Sequence, residues 1–274
     1  MTDDHAFRVI AADTTRTAQG VVAAQGVSGP TAKHLAELVT ATILVRETMA
    51  PTQRVQAILK GQGGTGSLVG DSFPDGGTRG LAQVAEGQTV VLGKGSLLQM
   101  MRSLPNGSLA QGIVDVSGAG GLADAVMSYF QESEQVVSVV ALGVRTGEGG
   151  AIETAGGYVI QLLPEPERAL HAVMTARLED FPSMDSFLRR DDWSARLLLD
   201  EILYAMPTTI LGESSLRFLC RCSEAALLGA IATLGRPEIE SLVAEEESLQ
   251  IRCDYCHKDY AIAPERLRSL LEAS

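Results

Sequence analysis

The chain has 274 residues, 45% hydrophobic but only 4% aromatic, with a formal net charge of −12. That length exceeds one typical domain and can bury a sizeable, mainly aliphatic core. The acidic balance argues against a nucleic-acid partner, whose phosphates need clustered Lys and Arg. The longest apolar run, residues 136–144, is far too short to span a bilayer, which argues against a membrane role.

The opening residues, Met1-Thr2-Asp3-Asp4-His5, lack the basic start and apolar run of an export signal, so the expected compartment is the cytoplasm. Residues 7–12 read as a first strand. Residues 31–50 read as a helix, with Pro30 near its start, Leu35, Leu38, Val39 and Thr42 at helical spacing, and Pro51 ending it. From 54 to 121 short apolar stretches alternate with glycine, at 55–59, 81–84, 89–92, 97–101 and 112–116. This is the pattern of an antiparallel sheet with tight turns. Residues 122–132 read as a helix with Leu122, Val126, Met127 and Phe130 inward. Strands at 136–144 and 155–163 follow, the second closed by Pro164 and Pro166. The order of elements predicts an α+β domain with a mostly antiparallel sheet.

Two stretches imitate phosphate loops. Gly61-Gln62-Gly63-Gly64-Thr65-Gly66 matches G-x-G-x-x-G, but a dinucleotide site needs a helix to follow. Pro74, Gly76, Gly77 and Gly80 come instead, so the stretch reads as a turn in a sheet. Gly93-Lys94-Gly95-Ser96 is similar to a P-loop, but the spacing from Gly87 is one residue too long and Gly95 replaces the magnesium-binding Ser or Thr.

From 165 to 217 glycine almost vanishes. Leu170, Val173, Met174 and Leu178 share a face of a helix over 167–179, and Leu197, Leu198, Ile202 and Leu203 one over 193–204. The pattern alone describes an ordinary helical subdomain with solvated charges. A linker whose apolar face packs on the first domain and can let go is the alternative.

All four cysteines fall in the last quarter, as Phe218-Leu219-Cys220-Arg221-Cys222-Ser223 and Arg252-Cys253-Asp254-Tyr255-Cys256-His257, with 30 residues between the pairs. Four thiolates close a tetrahedral zinc site with no open position, so Cys220, Cys222, Cys253 and Cys256 are the expected ligands of one Zn²⁺. His257 is then superfluous as a ligand. Buried apolar thiols would not need to come in pairs. Haem attachment at Cys253-Asp254-Tyr255-Cys256-His257 would leave Cys220 and Cys222 unused. A thioredoxin-like motif needs a helix after its Cys-x-x-Cys, whereas 249–252 and 258–262 read as two short strands around a knuckle turn. In a reducing compartment such cysteines hold metal or sense redox state rather than form permanent disulfides. Helices are expected from Ser223 to Leu234, from Pro237, and from Pro264. No nucleophile–base pair is evident: His5, His34, His171 and His257 lack triad partners, and a closed site leaves no place for a catalytic water, so the chain does not read as an enzyme.

The cysteine motif, together with Gly156-Gly157-Tyr158-Val159-Ile160-Gln161-Leu162-Leu163-Pro164 and Ser133-Glu134-Gln135, resembles the redox-regulated thirty-three-kilodalton heat-shock chaperone family over essentially the whole chain. The resemblance implies an N-terminal α+β core over 1–164, a metastable helical linker over 165–219 and a zinc-binding redox-switch domain over 220–274. It implies an ATP-independent holdase for unfolding client proteins, dormant when reduced and zinc-bound, and dimeric when activated. It also implies Cys220–Cys222 and Cys253–Cys256 as the redox disulfides. A constitutive structural zinc ribbon that binds a protein partner is the alternative reading.

Overall fold

One 20-residue helix, α2 (Gly29–Thr48), is buried on almost every face. Leu35, Leu38, Val39, Ile43, Leu44 and Val45 are fully buried, and apart from Glu37 the positions between them are Ala and Thr. A helix without a solvated stripe is stable only inside a core. Pro30, in its first turn, has no N–H to leave unsatisfied there. In this computed structural model, which describes residues 1–85, 88–116, 121–164, 168–245 and 247–272, α2 is the centre of the first of two compact units, Met1–Phe218 and Leu219–Ser274.

Two sheets pack against α2. The smaller has the order β1 (Phe7–Asp13), β8 (Ile152–Leu162), β7 (Ser138–Thr146), antiparallel throughout. The larger runs β6 (Leu109–Asp115), β5 (Leu97–Ser103), β2 (Val55–Lys60), β3 (Ser67–Ser72), β4 (Gly77–Gln83), β9 (Arg217–Phe218). It is antiparallel except for the short β4–β9 pairing. The expected α+β class with a mostly antiparallel sheet holds.

Several expectations shift in detail. Residues 89–92 form no strand: Val90 and Val91 donate their N–H groups to the Thr31 and Thr65 hydroxyls rather than to a ladder. β3 was hidden by Gly70 and Asp71, poor strand residues by propensity. Helix α1 (Thr15–Gln25) was hidden because its buried face is made of Thr17, Ala18, Val21 and Gln25 rather than large apolar residues. The helix expected over 122–132 is α3 (Leu122–Tyr129), after which Phe130–Glu134 widens into a π-turn ended by Gln135 at φ 55°. Pro166 and Gly87 lie outside the described residues.

Beyond β8, helices α4 (Arg168–Glu179), α5 (Met184–Leu188) and α6 (Ala195–Ile202) lie over the face of the small sheet that α2 does not cover. They build a second core from Phe7, Tyr158, Ile160, Met174, Met184, Phe187, Leu188, Leu198 and Ile202. Phe181 stacks on Phe187 at 5.2 Å and meets Tyr158 edge-on at 6.0 Å. The second unit holds α7 (Glu224–Ile231), α8 (Arg236–Ala244), a hairpin of β10 (Leu249–Arg252) and β11 (Asp259–Ile262), and α9 (Pro264–Glu272). Its core is small: Leu228, Ile231, Ile239, Ile262 and Leu267.

Candidate metal centre

The two cysteine pairs reach one point by different local devices. Cys220 and Cys222 lie on the extended stretch just before α7, which Ser223 caps by accepting a hydrogen bond from the Ala226 N–H at 3.1 Å. Cys253 and Cys256 lie in the turn between β10 and β11. There the Cys253 N–H donates to the Lys258 carbonyl at 2.9 Å, and the His257 N–H donates to the Cys253 carbonyl at 2.7 Å. The turn closes with His257 in the left-handed region at φ 57°, a conformation that the non-glycine residues tolerating it best include His.

The four Sγ atoms lie within 4.8 Å of one another. Cys220 Sγ is 3.7 Å from Cys253 Sγ, and Cys222 Sγ is 3.3 Å from Cys256 Sγ. A tetrahedron of thiolates about 2.3 Å from zinc has edges of about 3.8 Å, so the spacing fits that ion. All four cysteines are free thiols, Cys253 buried and the others half-buried. The set contains no histidine, and it is the only such group among the described residues.

Electrostatics point the same way. Burial pushes the Cys220 thiol up, and burial with the neighbouring thiols takes Cys256 to about 12. For Cys222 burial acts upward too, but hydrogen bonds from Tyr260 and from the other thiols outweigh it and bring the group to about 7. Four sulfurs this close resist ionising together unless a cation sits among them. The donor set therefore suits a soft divalent ion such as zinc.

Sequence reasoning missed Tyr260. Its hydroxyl donates to Cys222 Sγ at 3.1 Å, and that bond raises the phenol to about 12. The contact depends on the β10–β11 register, in which Tyr260 pairs with Ile251, and cysteine spacing carries no sign of it. Neither glycine motif has the loop-then-helix geometry of a phosphate site. Gln62–Gly64 is a short helical turn in the β2–β3 hairpin, followed by a strand. Ser96 Oγ accepts from the Gly93 N–H at 3.0 Å in a loop before β5.

A family model described as Hsp33 protein matches residues 1–263. A 33 kDa chaperonin of Syntrophotalea carbinolica is 29% identical over 98% of this chain and 96% of its own length. One from Thermoanaerobacter sp. is 31% identical over 96% of this chain and 92% of its own. The crystal structure of the 33 kDa chaperonin from Thermotoga maritima superposes with a TM-score of 0.79 at 20% identity, covering 98% of this chain and 95% of that one; at that identity the likeness speaks for the fold. Among the described residues no helix is long and apolar enough to cross a membrane.

Proposed function

The chain belongs to the Hsp33 protein family, a family of chaperones, and from that premise we propose that it is a redox-controlled, ATP-independent holdase for unfolding polypeptides. The observation that carries this is the four-thiol tetrahedron of Cys220, Cys222, Cys253 and Cys256. When bound, zinc supplies a staple that holds the start of a small, thinly cored unit to its β10–β11 turn; in zinc-finger peptides such a staple is worth about 10–16 kcal/mol. Residues 165–219 act as the linker whose helices cover the small sheet in the dormant state.

In oxidation by hydrogen peroxide, two of the thiolates form one S–S bond, the peroxide O–O bond breaks, and its two oxygens leave as two waters with two protons taken from solvent. The two remaining thiolates are too few to hold the ion, and the second unit loses the free energy that folded it. Release of residues 165–219 would uncover the apolar face of Tyr158 and Ile160. The oxidised form acts on clients as a homodimer in the cytoplasm.

The test measures zinc content, free thiols and suppression of client aggregation before and after peroxide treatment with mild warming. The expected result is one zinc per reduced chain, its loss with the thiols, and gain of activity. Retained zinc with unchanged activity would make the metal purely structural and overturn the redox reading.

A further inference from the structure

Between α6 and β9 the chain crosses the first unit as a strap, residues 203–216, with a single β-bridge at Thr208 and no other regular structure. Every side chain from Pro207 to Ser215 is exposed. Beneath the strap lies a cavity of about 590 Å³, walled by Val9, Ile10, Met49, Leu199 and Leu203. Ile210 and Leu211 border the cavity yet remain 46% and 63% exposed. Core burial therefore does little to hold residues 207–215; the ends of the strap must.

The downstream end is fixed by Arg217. Its N–H donates to the Gly76 carbonyl at 3.2 Å and its guanidinium to the Asp75 carboxylate at 2.8 Å. Ser214 adds a hydrogen bond to Glu47 at 3.0 Å. The upstream end is held by residues from the far end of the sequence. The Thr209 N–H donates to the Met1 carbonyl, the Asp3 N–H donates to the Pro207 carbonyl, and the Met1 amino group donates to the Thr209 carbonyl, each at 3.0 Å. The Thr209 hydroxyl donates to the Asp3 carboxylate at 2.9 Å.

The element that offers this edge is rigid without the strap. Thr2, 1% exposed, donates its N–H to the Phe7 carbonyl and accepts the Phe7 N–H on its hydroxyl, both at 3.0 Å. The His5 N–H donates to the Thr2 carbonyl at 3.0 Å with His5 at φ 58°, and Asp4 accepts the Ala6 N–H at 2.9 Å. Residues 2–7 are thus a closed hook continuous with β1. A preformed edge binds an extended partner without first losing the entropy of its own ordering.

We propose that this hook is a latch: it clamps residues 207–209 and sets how readily the strap lets go, at a point that contains no cysteine. The latch stands on these contacts alone, whereas its consequence for chaperone activity rests on the reading of 165–219 as a releasable linker. Two latch variants keep the hook itself intact. Thr209→Pro removes the N–H that Met1 accepts, and Asp3→Ala removes the side-chain bond.

The experiment is amide hydrogen exchange on the full-length, reduced, zinc-loaded protein. In Thr209→Pro the Asp3 amide and the strap amides are expected to exchange about tenfold faster, with a smaller increase in Asp3→Ala, while β8 amides and zinc content stay as in the parent. Strap exchange unchanged in both variants would overturn the latch. Aggregation suppression in the same samples separates the two ideas. A loosened strap with a lower activation threshold supports both. A loosened strap with the parent's threshold supports the latch and counts against the linker reading.

Discussion

Tyr260 touches the thiol cluster with one hydroxyl, and that contact has a measurable consequence. Partners of metal ligands fix the ligand's orientation and charge, and losing one typically costs 10–100-fold in affinity. Tyr260→Phe deletes the bond to Cys222 and keeps the ring that packs beneath Lys258 at 5.0 Å. Zinc affinity, measured by competition with a chromophoric chelator, is expected to fall by about tenfold; an unchanged value would remove Tyr260 from the site. The four cysteines themselves were legible because few arrangements explain two close pairs of a reactive, rare residue. The Ser133-Glu134-Gln135 stretch acquires a physical meaning only in three dimensions. The Tyr129 hydroxyl donates to Glu134 at 2.6 Å, and the same carboxylate pairs with Arg102 at 3.0 Å, pinning the π-turn to β5. Burial first, and the bond to Glu134 next, raise the Tyr129 phenol well above its ordinary 10. A raised folded value means that the native state keeps its proton where the unfolded chain has lost it. The stabilisation is therefore complete below pH 10 and drains away as pH rises above it. Tyr129→Phe should be less stable at neutral pH by about 1 kcal/mol. Its denaturation midpoint should then fall less steeply than the parent's above pH 10; parallel curves would refute the assignment.

At the scale of elements, the helices over 165–204 show how much a period can say. Leu198 and Ile202, read from spacing, are fully buried and Met174 is buried, but Val173, read on Met174's face, is 48% exposed. α5 was not legible, because five residues hold too little of a helical period to be recognised. What the period cannot give is the receiving surface, and that surface depends on two missing side chains. A Cβ at Gly143 would lie 2.7 Å from Leu188 Cδ1 and 2.9 Å from Met184 Cβ, in the path of α5. A Cβ at Gly156 would lie 2.5 Å from the Trp193 ring and 2.7 Å from the Ala12 carbonyl oxygen. This gives the Gly156-Gly157-Tyr158 motif a role: Gly156 admits Trp193, and Tyr158 lies under Phe181. Leu188 can turn its methyl aside, but Met184 Cβ moves only with the backbone of α5, and a tryptophan ring and a β-strand carbonyl yield least. Gly156→Ala is therefore expected to cost about 2–3 kcal/mol and Gly143→Ala, which must shift α5, about 1–2 kcal/mol. Trp193 is the only tryptophan, so its fluorescence reports the docking directly. Gly156→Ala should shift the reduced protein's emission to the red, and emission identical to the parent's would mean that α4–α6 dock without that clearance.

For the whole molecule the decisive question is which sulfurs join. All four Sγ atoms lie within 4.8 Å of one another, with Cys220 to Cys253 at 3.7 Å and Cys222 to Cys256 at 3.3 Å, so bonds across the pairs are as reachable as bonds within them and proximity does not select the pairing within pairs. Thermodynamics of the second unit does. A cross-pair disulfide would close a loop spanning 33 or 34 residues, which by chain entropy contributes about 4 kcal/mol to stability. It would tie the start of the unit to its β10–β11 turn as a bound metal would, and oxidation would leave the unit folded. A bond within Cys220–Cys222 or Cys253–Cys256 closes only a few residues and leaves the start of the unit unlinked to its β10–β11 turn. Only then does loss of the ion become loss of fold, and Cys220 follows β9 by just two residues. Release by oxidation therefore requires bonds within the pairs. Trypsin cleaves after Arg221, Arg252 and Lys258, which makes the outcomes distinct. Bonds within pairs give a looped 253–258 peptide and a separate link between the peptides of Cys220 and Cys222. Cross-pair bonds join both of those peptides to 253–258. We expect the first pattern in fully oxidised, active protein, and active protein carrying the second would mean that the switch does not work by unfolding this unit.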